Sequence, residues 1–273
     1  MLNLEKLIQE IDSIPPLPTT VTRALQVIAD HDSSAKELAV VLADDQSITA
    51  TLLKYANSAY YGMGRKVSTV SEAIVILGFS TIRSMLLAAS VQQVVDKEIS
   101  GYALARGELW RHSIQCAVIA KNLAQKCKFP QAEQVFVAGL IHDIGKVVLN
   151  NYVSEQYGEI IQIVEQEQIP FMDAERRILS FDHAEVGSRL AEKWNLPTEL
   201  VDAIANHHSP NNSKSNKKIT ALVHIADAIC LMLGIGLGSD GLLYPLDGEV
   251  LNLVGLTVEQ FEEAMSEVQE IPL

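Results

Sequence analysis

The stretch FVAGLIHDIGKVVLN, residues 136–150, poses the question on which the fold turns. Val137, Leu140, Ile141, Ile144, Val147, Val148 and Leu149 recur every three or four residues, the period of a buried helix rather than the alternation of a strand. In their midst stand His142 and Asp143, with Lys146 four residues after the histidine. A polar group in such a run is costly unless it is hydrogen-bonded, paired or bound to a metal. Imidazole suits Fe, Zn, Mn or Ni, and a carboxylate has two oxygens to share between ions. For the doublet taken alone, an internal hydrogen-bonded His–Asp pair is the alternative reading.

Outward from this stretch the same period continues, so the fold class expected is all-α. No Asn-Gly hairpin turn and no convincing two-residue alternation interrupts it. In the first part Thr19 or Thr20, Ser34, Ser47 and Ser68 or Ser71 are candidate helix caps, with Gly78 as a C-terminal stop and Ser80 capping the next helix. In the second part helices are expected near 103–127, 131–150, 154–168, 182–194, 198–208, 216–233 and 257–268. Thr257 and Gln260 have the spacing of a capping box. HHSPNNSKSNKK, residues 207–218, reads as a flexible surface loop.

The 273 residues carry a formal net charge of −13. A field of that sign repels nucleic-acid backbones and anionic lipid, so neither is expected as a partner. Apolar residues make up 48%, a globular composition. Cys116, Cys127 and Cys230 are too few and too scattered for a disulfide framework, and MLNLEKLIQEIDS carries charge where a signal peptide needs an apolar core. A cytoplasmic setting is expected. Residues 219–238 approach the length of a membrane span, but His224 and Asp227 would be expensive in lipid. That segment is therefore read as a buried helix ending near Leu233.

Of the seven histidines only His31 precedes residue 100, and it is read as an exposed turn residue. This shift suggests an N-terminal helical lobe over 1–100 and a metal-binding helical lobe over 101–273, with YANSAYYG and the ILG turn at their junction. His112, His142, Asp143 and Asp227 can form one ligand set. Asp143, His183, His207 and His208 can form another that shares the carboxylate. His224 is a candidate supporting residue or a packed one. Lys146 can face a phosphate in the same cleft or lie on a solvated outer face. The directions of Arg111 and Lys121 are not decided by spacing.

HDIGK, with an upstream histidine in LWRHSIQCAVIA (109–120) and a downstream aspartate in VHIADAIC (223–230), resembles the HD superfamily of metal-dependent phosphohydrolases. IPPLPTTVTRALQVI (14–28), LLKYANSAYYG (52–62) and VSTVSEAIVILGFSTIRSMLL (67–87) narrow the resemblance to the HDOD family, the HD-related output domain of bacterial signalling proteins, over roughly residues 10–235. That family is usually described as having lost metal and catalytic residues, whereas this chain keeps them and in that respect looks like the HD-GYP phosphodiesterases of cyclic di-GMP. The likeness implies two divalent transition-metal ions, with Fe or Mn preferred and Zn, Ni or Mg as alternatives, held by His112, His142, Asp143, His183, His207, His208 and Asp227. It gives Asp143 and Lys146 catalytic parts and offers Glu108 as a third-metal ligand, against an ordinary helix ion pair. After His208, however, SPNNSKS stands where HD-GYP enzymes carry Asp-Gly-x-Gly-Tyr-Pro. Two functions follow as expectations: a phosphohydrolase of a nucleotide or cyclic dinucleotide, or a non-catalytic scaffold docking signalling proteins with a structural or sensory metal.

Overall fold

A computed structural model describes residues 4–58, 61, 66–236, 238, 246 and 248–268. The chain is all-α. Among the described residues there is no strand, only an isolated bridge between Ile99 and Leu104. Two compact units emerge, Pro16–Gln93 and Met1–Pro15 with Val94–Leu273. A single division at residue 100 leaves the first fifteen residues on the wrong side of this grouping. Helix α1 (Leu4–Ser13) is tied to the second unit because the Lys193 ammonium donates to the carbonyls of Ile11 (2.8 Å) and Ile14 (3.1 Å) and the Trp194 indole to that of Pro15 (3.3 Å).

The smaller unit holds α2 (Thr19–Ala29), α3 (Ala35–Ala43), α4 (Gln46–Ala56) and most of α5 (Val70–Val95). Its core is built from Val21, Leu38, Leu42, Ile48, Leu52, Ile74, Ile82 and Leu86. Each such side chain contributes about 1.5–3 kcal/mol on full burial. Ser34 caps α3 in a full capping box with Glu37. The expected threonine cap of α2 is absent, because the helix begins at Thr19 behind Pro18. Ser47 does not cap α4 either: Asp45 does, accepting from the backbone of both Ser47 and Ile48. In α5, Gly78 (φ 77°, ψ 164°) breaks the helical geometry and the helix resumes directly. Of LLKYANSAYYG, residues 59, 60 and 62 lie outside the described residues.

The larger unit contains α6 (Glu108–Lys126), α7 (Ala132–Ile141), α8 (Gly145–Glu167), α9 (Phe171–Leu179), α10 (His183–Lys193), α11 (Thr198–Asn206), α12 (Lys217–Met232), α13 (Gly248–Val254) and α14 (Val258–Ser266). Helices α6, α7 and α12 pack on one another, as do α8 with α10 and α10 with α11. Sequence reading did not separate α1, α9 or α13, and it joined the end of α7 to the start of α8. The Thr257–Gln260 capping box is formed. Residues 207–218 are not a free loop: the Asp202 carboxylate accepts from the Ser213 hydroxyl (2.6 Å) and from the backbone of Lys214 (2.9 Å) and Ser215 (2.8 Å). Of the segment 219–238, the part in α12 is buried through Cys230. Among the described residues one helix, α5, is long and apolar enough to cross a membrane, and it carries the Gly78 break.

Candidate metal centre

Residues 136–150 do not form one helix. After α7 ends at Ile141 the chain makes a tight turn, with Ile144 N donating to Ile141 O (3.1 Å) and Lys146 N to Asp143 O (3.0 Å), before α8 starts at Gly145. The His142 ring closes it, its Nδ1–H donating to the Gly139 carbonyl three residues back (2.8 Å). His207 repeats the device after α11, donating Nδ1–H to Ile204 O (2.7 Å). Both histidines therefore satisfy a helix-end carbonyl and turn Nε2 inward. His183 opens α10 behind Asp182, whose side chain caps that helix at Glu185 N (2.8 Å). His112 lies in α6 and Asp227 in α12.

Two glycines permit the approach. A Cβ on Gly145 would stand 1.9 Å from His183 O, so α8 and α10 can meet only without a side chain there. Gly236 (φ 62°), whose Cβ would lie 2.6 Å from the His112 Cβ, lets the neighbouring Ile235 carbonyl accept from His112 Nδ1 at 3.0 Å.

The result is a buried cluster in which the two Asp143 oxygens face different imidazoles. Oδ2 lies 3.4 Å from His142 Nε2 and 3.6 Å from His112 Nε2, while Oδ1 lies 3.6 Å from His183 Nε2 and 3.7 Å from His207 Nε2. Asp227 Oδ1 is 3.1 Å from His112 Nε2 and 3.7 Å from His142 Nε2. His208 Nε2 is 3.0 Å from His183 Nε2. Among the described residues, three sets of ligand atoms each lie within 4.8 Å of one another: His112, His142 and Asp227; His142, Asp143 and His207; and His183, His207 and His208.

With Nδ1–H donated outward, the neutral imidazoles of His112, His142 and His207 would have only Nε2 lone pairs to offer their neighbours and the carboxylates. Acceptors facing acceptors in a low dielectric demand positive charge between them. Among the described residues, Asp143 Oδ1 and His207 Nε2 have no hydrogen-bond partner although buried. The titration behaviour expresses the same demand. Burial opposes charge on His112, yet the hydrogen bond to Asp227 and nearby negative charge raise its pKa to about 9. Burial likewise opposes charge on His142, but the Asp143 carboxylate raises it to about 10. His207 is lowered to about 3 by burial and the neighbouring His142 charge. Asp143, despite burial, is held well below the usual carboxylate range by the His142 and Lys146 charges. A donor set of imidazole nitrogens and carboxylate oxygens of this kind fits divalent transition metals.

The other candidates fall as follows. Lys146 is buried, not solvated, and its ammonium lies against Asp143 Oδ2. Glu108 forms a helix ion pair with Arg111 (3.2 Å) and stands outside the ligand sets found among the described residues. Lys121 pairs with Glu133 at 2.5 Å. His31 is an exposed turn residue. His224 donates Nδ1–H to His207 O (2.9 Å) and so steadies the turn that carries His207. Sequence reasoning missed Glu175 and Tyr102, which stand behind His183.

The HDOD domain family profile matches residues 14–210. The chain belongs to the HDOD family. A crystal structure of an HDOD domain protein from Geobacter sulfurreducens is 27% identical, with a TM-score of 0.72 over 98% of this chain and 92% of that one. A Shewanella amazonensis SB2B protein, provisionally named a phosphohydrolase, is 25% identical with a TM-score of 0.67 over 96% of this chain and 98% of that one. By sequence the HDOD chain is similar to an uncharacterized protein of Treponema pallidum (28% over 223 residues, 80% of this chain) and to ribonuclease Y of Thermus thermophilus (33% over 119 residues, 44% of this chain). It spans 42% of the length of the first and 16% of the second.

Proposed function

We propose that this HDOD protein is a metal-dependent phosphohydrolase with two divalent ions, acting on a nucleotide or cyclic dinucleotide. The observation that carries the reading is the division of the Asp143 carboxylate, one oxygen toward His112 and His142 and the other toward His183 and His207. On this reading His112, His142, Asp143 and Asp227 hold one ion, and Asp143, His183, His207 and His208 hold the other. Fe or Mn suits such a set, with Zn, Ni or Mg as alternatives. Bound ions supply an acidified water and neutralise phosphoryl oxygens. The protein's part is positional: Nδ1–H donations fix the rings, burial excludes bulk water, and Asp143 keeps the two halves at one distance. Lys146 is assigned to the phosphate. With Asp143 serving as a metal ligand, the Lys146 ammonium beside it would be available to a phosphoryl oxygen. The provisional name of the Shewanella protein and the RNA-cleaving activity in the name of ribonuclease Y support a phosphoester substrate class.

A second reading, a scaffold that docks signalling proteins, draws support from residues 209–215. Ser213, Lys214 and Ser215 of this stretch fold back onto Asp202, in the segment after His208 where HD-GYP enzymes place part of the substrate pocket. The deciding experiment loads the protein with Mn or Fe, measures ions per chain, and assays an aryl phosphodiester, cyclic di-GMP and a nucleotide panel. Turnover that disappears in Asp143→Asn supports the enzyme. Protein with two ions per chain and no turnover across the panel hands the centre to the scaffold.

A further inference from the structure

Three histidines of the centre rest their outer nitrogen on a neutral backbone carbonyl: His112 on Ile235, His142 on Gly139 and His207 on Ile204. His183 differs. Its Nδ1–H donates to the Glu175 carboxylate at 2.7 Å, and its backbone N–H reaches the same oxygen at 3.3 Å. The other Glu175 oxygen accepts from the Tyr102 hydroxyl. Glu175, Tyr102 and His183 are all fully buried.

The surroundings are built to hold that carboxylate. Tyr102 packs on Phe171, the first residue of α9, with ring centroids 5.6 Å apart, and stands edge-on to the His183 ring at 6.3 Å. The hook that carries it is closed by the Ile99–Leu104 bridge, and Gly101 N donates to Asn150 Oδ1 of α8 (2.8 Å). A fully buried carboxylate is expensive, and here it is retained by three donors, two of them from His183.

We infer that Glu175, seated by Tyr102, is a positioning residue for the His183 half of the centre. It holds His183 as the Nδ1–H tautomer, so that Nε2 presents its lone pair toward Asp143 Oδ1 and His208. Its partner is thus a carboxylate, where the rings of His112, His142 and His207 have neutral carbonyls. A carboxylate behind a ligating imidazole raises ligand basicity, and losing such a partner typically lowers metal affinity 10–100-fold. The two halves of the centre are thus tuned unequally, with the charge-assisted support on the His183 side. This inference rests on the two-ion reading for its effect on affinity, and on the hydrogen-bond geometry alone for the tautomer.

The test uses the full chain in two arms. In the first, imidazole ¹⁵N NMR of chelator-stripped protein reads the His183 tautomer. Nδ1–H is expected in wild type and in Glu175→Gln, which keeps an acceptor of the same shape, and is expected to be lost in Glu175→Ala. In the second, Mn(II) titration followed by calorimetry and EPR reads the ions separately. Glu175→Gln should weaken one ion per chain roughly tenfold or more and leave the other unchanged, with Tyr102→Phe shifting the same ion by less. A purely structural carboxylate would lower the melting temperature without separating the two affinities. An Nε2–H tautomer in wild type, or two unchanged Mn(II) affinities in Glu175→Gln, overturns the inference. Wild type that takes up no Mn(II) defeats the two-ion reading instead, and the tautomer arm still stands or falls by itself.

Discussion

Lys146 Nζ lies 2.5 Å from Asp143 Oδ2, and both groups are buried. The lysine is three residues along the chain from its partner, at the first turn of α8, so the turn that presents Asp143 also supplies its counter-charge. Removing one member of a buried pair leaves an uncompensated charge, at a cost of about 3–5 kcal/mol. Lys146→Met is therefore expected to destabilise chelator-treated protein by about that amount. The loss should shrink when divalent ions are present, because they take over the neutralisation of Asp143. Thermal melts with and without chelator measure both. Equal losses in the two conditions would mean that the lysine matters only as packing.

Asp143 reaches toward both ligand groups by separate oxygens, Oδ2 toward His112 and His142 and Oδ1 toward His183 and His207. Asp143→Asn keeps the shape but gives up the charge that would balance two cations. Elemental analysis after expression in metal-supplemented medium should find most of the metal gone, while Glu108→Ala, whose carboxylate sits on Arg111, should match wild type. Equal and low metal in wild type and Asp143→Asn would reduce the cluster to polar packing.

What the sequence discloses here depends on how local the cause is. The helical class is legible because a three-to-four-residue period persists wherever a helix buries one face. The Ser34 and Thr257 caps are legible because each capping box closes within four residues. The turn at His142–Ile144 is hidden for the opposite reason: apolar residues continue through it, since both helices are buried on either side. At α4, Asp45 outcompetes the neighbouring Ser47 for the cap, and both residue types are good caps. The ligand residues, up to 115 positions apart between His112 and Asp227, are gathered by residue type and by family resemblance and not by spacing. Glu175 carries no such signal. In DAERRIL it reads as one of several charged residues on a helix surface, and its partners lie eight residues after it and 73 before it.

Two glycines on α8 give a matched pair. A Cβ on Gly145 would meet backbone atoms of His183 at 1.9 Å and Gly187 at 2.6 Å, while one on Gly158 would meet nothing within 4 Å. Gly145→Ala must push α8 off α10, at a cost of about 1–3 kcal/mol or more, and should displace His183 from Asp143. Gly158→Ala, on an exposed helical surface, should be neutral or stabilise by up to about 1 kcal/mol. Denaturant melts give the two signs, and metal content should fall only in Gly145→Ala. A Gly145→Ala protein as stable and as metallated as wild type would contradict the close α8–α10 packing.

Proton and metal compete for the same lone pairs, and this fixes a pH profile. His112 and His142 have pKa values raised from 6.5 to about 9 and about 10, so the folded chain binds these protons more tightly than the unfolded chain. Their contribution to stability is complete below about 6.5 and is lost as pH rises through 9 to 10. His207 behaves in reverse. Its pKa falls to about 3, so between pH 3 and 6.5 the unfolded chain binds the extra proton and stability drops as the solution is acidified. Chelator-treated protein should thus be most stable near pH 6.5, with melting temperature declining on both sides. Divalent ions should flatten the alkaline limb, because deprotonated imidazoles are the form that ligates. His142→Gln should flatten it too, without metal, by removing a histidine whose pKa is raised to about 10. Melting curves from pH 4 to 10, with chelator and with Mn(II), provide the comparison. An alkaline limb equally steep in wild type, His142→Gln and metal-loaded protein would show that the histidine cluster does not set it.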